Sequence, residues 1–591
     1  MKISLSQRKA ISAGLSIGIV VILVVAAVAV YYVATLPGPS PSTSTGVSTT
    51  TTTTTTSSTV GYKSTIILGT TDAVQTTIDP ADAYDYFGDN MINNLGAPLV
   101  DFAPGTTDTS PSSLQPALAT KWTVSSDGLT YTFILRSGVK YDDGHPFNST
   151  AVKYSFDRGM QIADPQGAVV GIGYSSIIDH IDTPNATAVV FHLKAPFSAF
   201  LSLLTFAASY PINPWKVPRV TCNPCNSLTG IINYTGNAAA SNPNGLGPYT
   251  LTQWTRQGTK DVQMTLTANP NYWNAAAGYP KTHTIVIKFY PDSTSLAAAV
   301  KAGDVDMAYR QFATTDIQSL QTTPGLKVYP SAGAFIQYLV LNLHMAPYND
   351  TYVRQGLAAA INRTDFINTV FAGTATPLYS QIPLGMSGHI DSFKTAYGAG
   401  PNYTLTKSLL AKAGYSASNP LKVDLWYETT GHYPQSPDQA QVLSKDFQAS
   451  GVIQVTLHGV DWPTMGANRK AGNMGMFIMG WYPDFIDPYD YTYPFFQSAA
   501  ASWLNDGYNS SQMDGLLNQA LSASPSQAGS IYGQVQTLQS QDVPIIPLYQ
   551  GGSNCCGVVA NSNVHGLPLT PQGSLDVTLI FRYDTIYETT S

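Results

Sequence analysis

Asp127-Gly128-Leu129-Thr130-Tyr131-Thr132-Phe133-Ile134-Leu135-Arg136-Ser137-Gly138-Val139-Lys140-Tyr141-Asp142-Asp143-Gly144 is the stretch on which the reading of the fold turns. Asp127-Gly128 is a turn dipeptide, because glycine accepts the positive φ that tight turns demand. From Leu129 to Leu135 the residues alternate, with Tyr131, Phe133 and Leu135 on one face, as in a strand with one buried side. Asp143-Gly144 turns the chain again, and Ser149 to Met160 suits a helix.

Working outward, Ser64 to Thr70 reads as a strand, followed by a turn at Asp79-Pro80. Ala188 to Leu193 is strand-like, and Ile285 to Phe289 alternates cleanly. Ser295 to Ala302 is an alanine-rich helix closed by Gly303. Apolar residues at helical spacing (Val353, Leu357, Ala360, Ile361, Ile367, Phe371) predict helix over 353–371, and Leu405 to Ala413 predicts a short helix stopped by Gly414. Strands and helices mix without a repeat period, which fits a multi-lobed α/β or α+β body.

The order of further landmarks carries a family resemblance. Lys121-Trp122 precedes the quoted stretch, and Val152-Lys153-Tyr154-Ser155 follows it. Then come Gly245-Leu246-Gly247-Pro248-Tyr249, Asn271-Tyr272-Trp273, Gly303-Asp304-Val305-Asp306, Val353-Arg354-Gln355, Ala360-Ile361-Asn362-Arg363, Ala413-Gly414-Tyr415, Gly480-Trp481, Asp487-Pro488 and Pro547-Leu548-Tyr549. The series resembles the peptide/nickel-type solute-binding proteins of ABC importers. Most of these residues define fold: the glycines admit turns or close packing, Tyr131 and Phe133 are core, and Arg354 and Arg363 are expected to pair with carboxylates on the helix surface.

The resemblance implies an α/β, three-lobed periplasmic-binding-protein-like fold with a hinge-closing cleft. Lobe one would take about 61–101, 241–338 and 543–591, lobe two about 102–240, and lobe three about 339–542. Solute is held between lobes one and three. In peptide-binding relatives an aspartate at the place of Asp484 pairs with the peptide's α-ammonium, and the adjoining backbone bonds the ligand as an added strand. The alternative for Asp484 is a turn cap before Asp487-Pro488. Trp481 and Tyr482 would wall the pocket, with a core role the alternative for Trp481, and Tyr86 and Phe87 would offer the facing contact on lobe one. Dipeptide-binding relatives use an arginine for the ligand carboxylate, and no equivalent is legible here. That leaves longer peptides, or oligosaccharides stacked on the aromatics between Trp481 and Trp503. His145, His344 and His432 are scattered without ligand spacing, so neither nickel, haem nor another cofactor is expected.

The start of the chain predicts an anchor. Lys2, Arg8 and Lys9 precede an uncharged run of 23 residues, Ile11 to Val33. As a helix it would measure about 34 Å, enough for a bilayer core. The positive flank places residues 1–10 in the cytoplasm and everything after Val33 outside. Lys9-Ala10-Ile11-Ser12 resembles the processing site of archaeal pilin-type signals, and Ala27-Val28-Ala29 could instead serve secretory cleavage. Residues 34–60, mostly threonine, serine and proline, form a linker able to reach about 80 Å. Asn148, Asn185, Asn233, Asn349, Asn362, Asn402 and Asn509 stand in glycosylation sequons, in agreement with a cell-surface location.

The 591-residue chain is only 11% charged and carries a net charge of −7. That argues against nucleic-acid binding. A surface built from neutral polar residues loses little when carboxylates protonate, so it tolerates low external pH; compositional drift is the alternative. Outside the cell Cys222, Cys225, Cys555 and Cys556 are expected in disulfides, either within each close pair or between the pairs, with a four-thiolate zinc site as another possibility. An enzyme is not expected. Gly14-Leu15-Ser16-Ile17-Gly18 matches a nucleophile elbow only inside the apolar run, and carboxylate pairs such as Asp142/Asp143 do not reveal a glycosidase by spacing. The expectation is therefore a membrane-anchored protein that captures oligopeptides and delivers them to an ABC permease. An oligosaccharide ligand is the alternative, and a secreted hydrolase or a surface structural protein is more distant.

Overall fold

In a computed structural model, residues 61–590 are described, apart from 332, 431, 500–502, 577, 579 and 580. The basic leader, the apolar run 11–33 and the linker lie outside the described residues. Among those described, no helix is long and apolar enough to cross a membrane.

Three sheets organise the body. The first has seven strands in the order 326–329, 558–561, 307–309, 65–70, 284–289, 260–268 and 249–257. Its central strand Thr65–Thr70 runs parallel to both Thr284–Phe289 and Met307–Tyr309. Asp306 of the Gly303–Asp306 landmark fixes this register: its carboxylate accepts from the Ile67 amide at 2.8 Å and from Lys63 at 2.7 Å. A second, four-stranded antiparallel sheet runs 119–124, 130–135, 188–193, 178–185. In it Tyr131, Phe133 and Leu135 are buried in alternation, as their spacing predicts. The third sheet has six strands, 376–377, 545–550, 336–341, 476–481, 421–428 and 453–460. We refer to the bodies around these sheets as lobes one, two and three.

The two lengths of chain that lead from lobe one toward lobe two are paired to each other. Gly245 and Gly247 amides both donate to the Leu95 carbonyl, at 2.9 and 3.0 Å. A Cβ on Gly247 would lie 2.5 Å from the Leu95 carbonyl carbon, so only glycine admits this approach. The Asp79-Pro80 turn has a larger role than turning. Asp79 is fully buried and takes two bonds from Arg158, at 2.8 and 2.6 Å. It also accepts from the Ile232 amide at 2.8 Å. Arg158 sits on the helix Ser149–Ile162, so a bidentate ion pair ties lobe two to lobe one.

The expected continuous helix over 353–371 is two helices, Thr351–Ala360 and Arg363–Phe371. Ile361 is extended, and the Asn362 side chain accepts from the Asp365 amide, so a side-chain cap starts the second helix. Arg354 and Arg363 are not surface residues. Arg363 is buried and donates to the carbonyls of Leu378 and Pro547, and desolvation pushes its pKa down to about 10. Arg354 is likewise spent on the carbonyls of Asp542 and Tyr348. Cys222 bonds to Cys225, and Cys555 to its neighbour Cys556.

Breaking the buried pair leaves an uncompensated charge, so Arg158→Ala should lower unfolding stability by about 3–5 kcal/mol. A urea midpoint unchanged from the parent chain would contradict a structural role for the pair.

Candidate functional site

The helix Tyr86–Leu95 builds the lobe-one wall of the cleft. Asp85 caps it, accepting from the Gly88 amide at 2.8 Å. Tyr86, Asp89, Asn90 and Asn93 then recur at helical spacing and line one cavity. Phe87 lies about a hundred degrees further round the helix. It is fully buried in lobe one, edge-on to Phe289 at 5.3 Å, so the structure places it in the core and not at the facing contact.

On lobe three the strand Met476–Trp481 leads into the segment Tyr482–Asp484. Asp490 organises that segment, accepting from the Trp481 indole at 2.9 Å and from the Asp484 amide at 3.0 Å. The Trp481 ring packs on Phe495 and Trp503 within the lobe, so it positions the loop and does not wall the cavity. The turn cap is Asp487, whose side chain accepts from the Tyr489 amide. Asp484 is therefore left with its carboxyl turned to the cavity, where it accepts from the Tyr84 hydroxyl.

The cavity, about 60 Å³, lies where all three lobes meet, with Thr205 to Ala207 of lobe two completing its lining. Its walls are rich in acceptors. Asp89 Oδ1 and Asn93 Oδ1 are buried without hydrogen-bond partners, and Asp484 stands opposite. Orphaned buried acceptors of this kind call for a donor from elsewhere. Burial pushes the Asp484 carboxyl up to about 7, against the Tyr84 bond that lowers it. Desolvation also holds Asp89 and Asp490 well above the ordinary range, and each feels the Asp484 charge.

Beside the cavity the lobes touch through three side chains. The Tyr86 and Tyr482 rings are 5.8 Å apart, which brings together two residues named from sequence alone. Arg310 lies over both, 4.0 Å from the Tyr86 centroid and 5.0 Å from that of Tyr482. Its Nη1 is 3.3 Å from Asp72, and its Nε is buried without a hydrogen-bond partner. Beyond this seam a recess of about 380 Å³ opens between Thr71, Asp292 and Gln311 of lobe one and His432, Gln435 and Tyr482 on the lobe-three side. Sequence reasoning missed Asp89 and Arg310. No motif marks either residue, although Asp89 shares the helix face of Tyr86.

Known proteins share this architecture. The family described as bacterial extracellular solute-binding proteins, family 5, matches residues 113–503, more than half of the chain. A di/tripeptide-binding protein of Pseudomonas aeruginosa is 27% identical over 86% of this chain and 93% of its own length. The glutathione-binding protein GsiB of Escherichia coli is 27% identical over 80% of this chain and 86% of its own. Among solved structures, DppA of Helicobacter pylori in complex with the peptide STSA superposes with a TM-score of 0.68 at 24% identity, covering 90% of this chain and 99% of that one. CtaP of Listeria monocytogenes gives 0.72 at 19% identity, covering 90% and 100%. These relatives are solute-binding proteins, not enzymes.

The raised carboxyls fix a pH dependence. A carboxyl whose folded pKa exceeds its unfolded value favours folding while protonated, so stability is lost as pH rises from about 4 through about 7. Asp446 and Asp506, also raised to about 7, act in the same sense. His432, lowered by burial, opposes them. The protein without ligand should melt higher at pH 5 than at pH 8, and Asp484→Asn should raise the melting temperature more at pH 8 than at pH 5. A parent protein more stable at pH 8 would contradict these assignments.

Proposed function

The chain belongs to family 5 of the bacterial extracellular solute-binding proteins, and on that premise we propose that it captures short peptides by their free amino terminus. The observation that carries this reading is the acceptor-lined cavity. Asp484, Asp89 and Asn93 offer oxygens from two lobes to a space that no lysine or arginine lines among the described residues. An α-ammonium brings three donors and a charge, and so satisfies these oxygens while offsetting their desolvation. Because the oxygens come from opposite lobes, a ligand contacting both stabilises the closed form over the open one.

Arg310 favours a short ligand. It stands at the seam next to the cavity, half committed to Asp72, with the planar fork that suits a carboxylate. A di- or tripeptide would place its ammonium at Asp484 and its carboxylate toward Arg310, with side chains in the larger recess. The peptide would separate the Tyr86 and Tyr482 rings and take their place as the contact between lobes. The names of the relatives, di/tripeptide-binding and glutathione-binding, agree with this size class.

The same reading includes delivery of the peptide to an ABC permease from the outer face of the membrane. Residues 11–33 would anchor the chain and the threonine-rich linker would give the cleft its reach. Full-length protein should then sediment with membranes and resist carbonate extraction, and deletion of 11–33 should release it. Sedimentation unaffected by the deletion would contradict the anchor.

Binding supplies the sharper test. By calorimetry, Asp484→Ala should weaken tripeptide binding by roughly 2–5 kcal/mol, as for a buried charge left unpaired. N-acetylation of the tripeptide should cost the parent protein a similar amount, and Arg310→Gln should penalise free-carboxylate peptides more than amidated ones. If acetylated and free tripeptides bind equally, the ammonium reading fails, and uptake of an oligosaccharide in their place would assign the cleft to sugars.

A further inference from the structure

At an exposed edge of lobe two, among residues that line no part of the cleft, two histidines and an aspartate converge. His180 and Asp182 lie on the strand Ile178–Asn185, which forms the edge of the four-stranded sheet. His192 lies on its antiparallel neighbour, Ala188–Leu193. A register shift between Ile178 and His180 leaves Asp179 as the extra residue and sets His180 directly opposite His192. Asp182, two residues along, points to the same face as His180. The imidazole rings stack at 4.2 Å, inclined by only 7°. Asp182 Oδ2 is 3.3 Å from His192 Nε2 and 3.8 Å from His180 Nε2. One ligand atom from each of the three residues falls within 4.8 Å of the others.

We propose that His180, Asp182 and His192 bind a divalent transition-metal ion of the zinc class. Two imidazole nitrogens and one carboxylate oxygen form a donor set suited to Zn²⁺, Ni²⁺ or Cu²⁺ and ill suited to Ca²⁺ or Mg²⁺. Ligand atoms around a tetrahedral zinc with bonds near 2.0–2.1 Å stand about 3.3 Å apart. The two carboxylate–imidazole separations are close to that and all three atoms lie within 4.8 Å, so rotation of exposed side-chain ends would complete the site. The neighbouring carboxylate strengthens the case. Asp179 Oδ2 lies 2.7 Å from His180 Nδ1, so it accepts that N–H and leaves the Nε2 lone pair facing Asp182. A carboxylate on the far nitrogen of a ligating histidine is the usual outer partner of such a site. With neutral imidazoles, Asp179 and Asp182 give the hairpin two negative charges, which a dication offsets. The ion would join the last two strands of the sheet side chain to side chain and leave its remaining positions to water.

The test uses the purified full-length chain, stripped with a chelator and titrated with Zn²⁺ alone in competition with a chromophoric chelator. One ion per chain should bind and raise the melting temperature. The double variant His180→Ala/His192→Ala should lose at least about a hundredfold in affinity, and Asp179→Asn should lose about tenfold through the outer partner. His145→Ala, a histidine paired with Asp143 elsewhere on lobe two, should bind like the parent. The three residues are partly or fully exposed, so the variants should melt with the parent when chelator is present. Unchanged Zn²⁺ affinity in the double variant, or no Zn²⁺-dependent rise in melting temperature of the parent, would overturn the proposal.

Discussion

Two lengths of chain cross between lobe one and lobe three, and they cross side by side. The Gly551 amide donates to the Phe335 carbonyl and the Gly552 amide to that of Ser331, both at 2.9 Å. Both glycines adopt positive φ, and a Cβ on Gly552 would come within 3.0 Å of Ala375. A pair of hydrogen-bonded crossings lets one lobe turn about the line between them and resists sliding. The two walls that face each other across this crossing are the helix from Tyr86 and the loop from Tyr482. The bonded Cys555–Cys556 pair is buried just past this crossing, in the helical turn Ser553–Cys556. The Asp79–Arg158 bond performs a comparable service between lobes one and two.

What the walls enclose is governed by desolvation. Three carboxyls, Asp89, Asp484 and Asp490, are held near one another where water is scarce, and none has a lysine or arginine as an ion-pair partner among the described residues. Folding tolerates this because burial favours the protonated form of each. A cationic ligand, as proposed, would reverse the balance, favouring ionisation and supplying donors. Asp446 and Asp506, also buried, are raised in the same sense.

Much of the fold was legible because it is local. The alternation of Tyr131, Phe133 and Leu135, the cap at Gly303 and the helix beginning at Ser149 are each decided within a few residues. The break at Ile361–Asn362 was missed because apolar spacing continued through it while the extended Ile361 ended one helix and the Asn362 side chain capped the next. Of the residues named from sequence, Tyr86 and Tyr482 meet ring to ring, while Phe87, one helical step on, is buried in the core. Arg310 was invisible. Its role depends on Tyr86, 224 residues earlier, and Tyr482, 172 later, and on a backbone with φ of 56° that no local pattern announces. The histidine pair on lobe two was hidden in the same way, by a bulge that shifts register by one residue.

If the amino terminus of a short peptide is held between the lobes at Asp484, the most direct measurement is a crystal structure of the chain with a bound tripeptide. The α-ammonium nitrogen should lie within about 3 Å of an Asp484 carboxylate oxygen, with Asp89 on its far side and the Tyr86–Tyr482 contact parted by the peptide. A peptide whose amino terminus lies in the outer recess beside Asp292 and His432, or faces solvent, would contradict it.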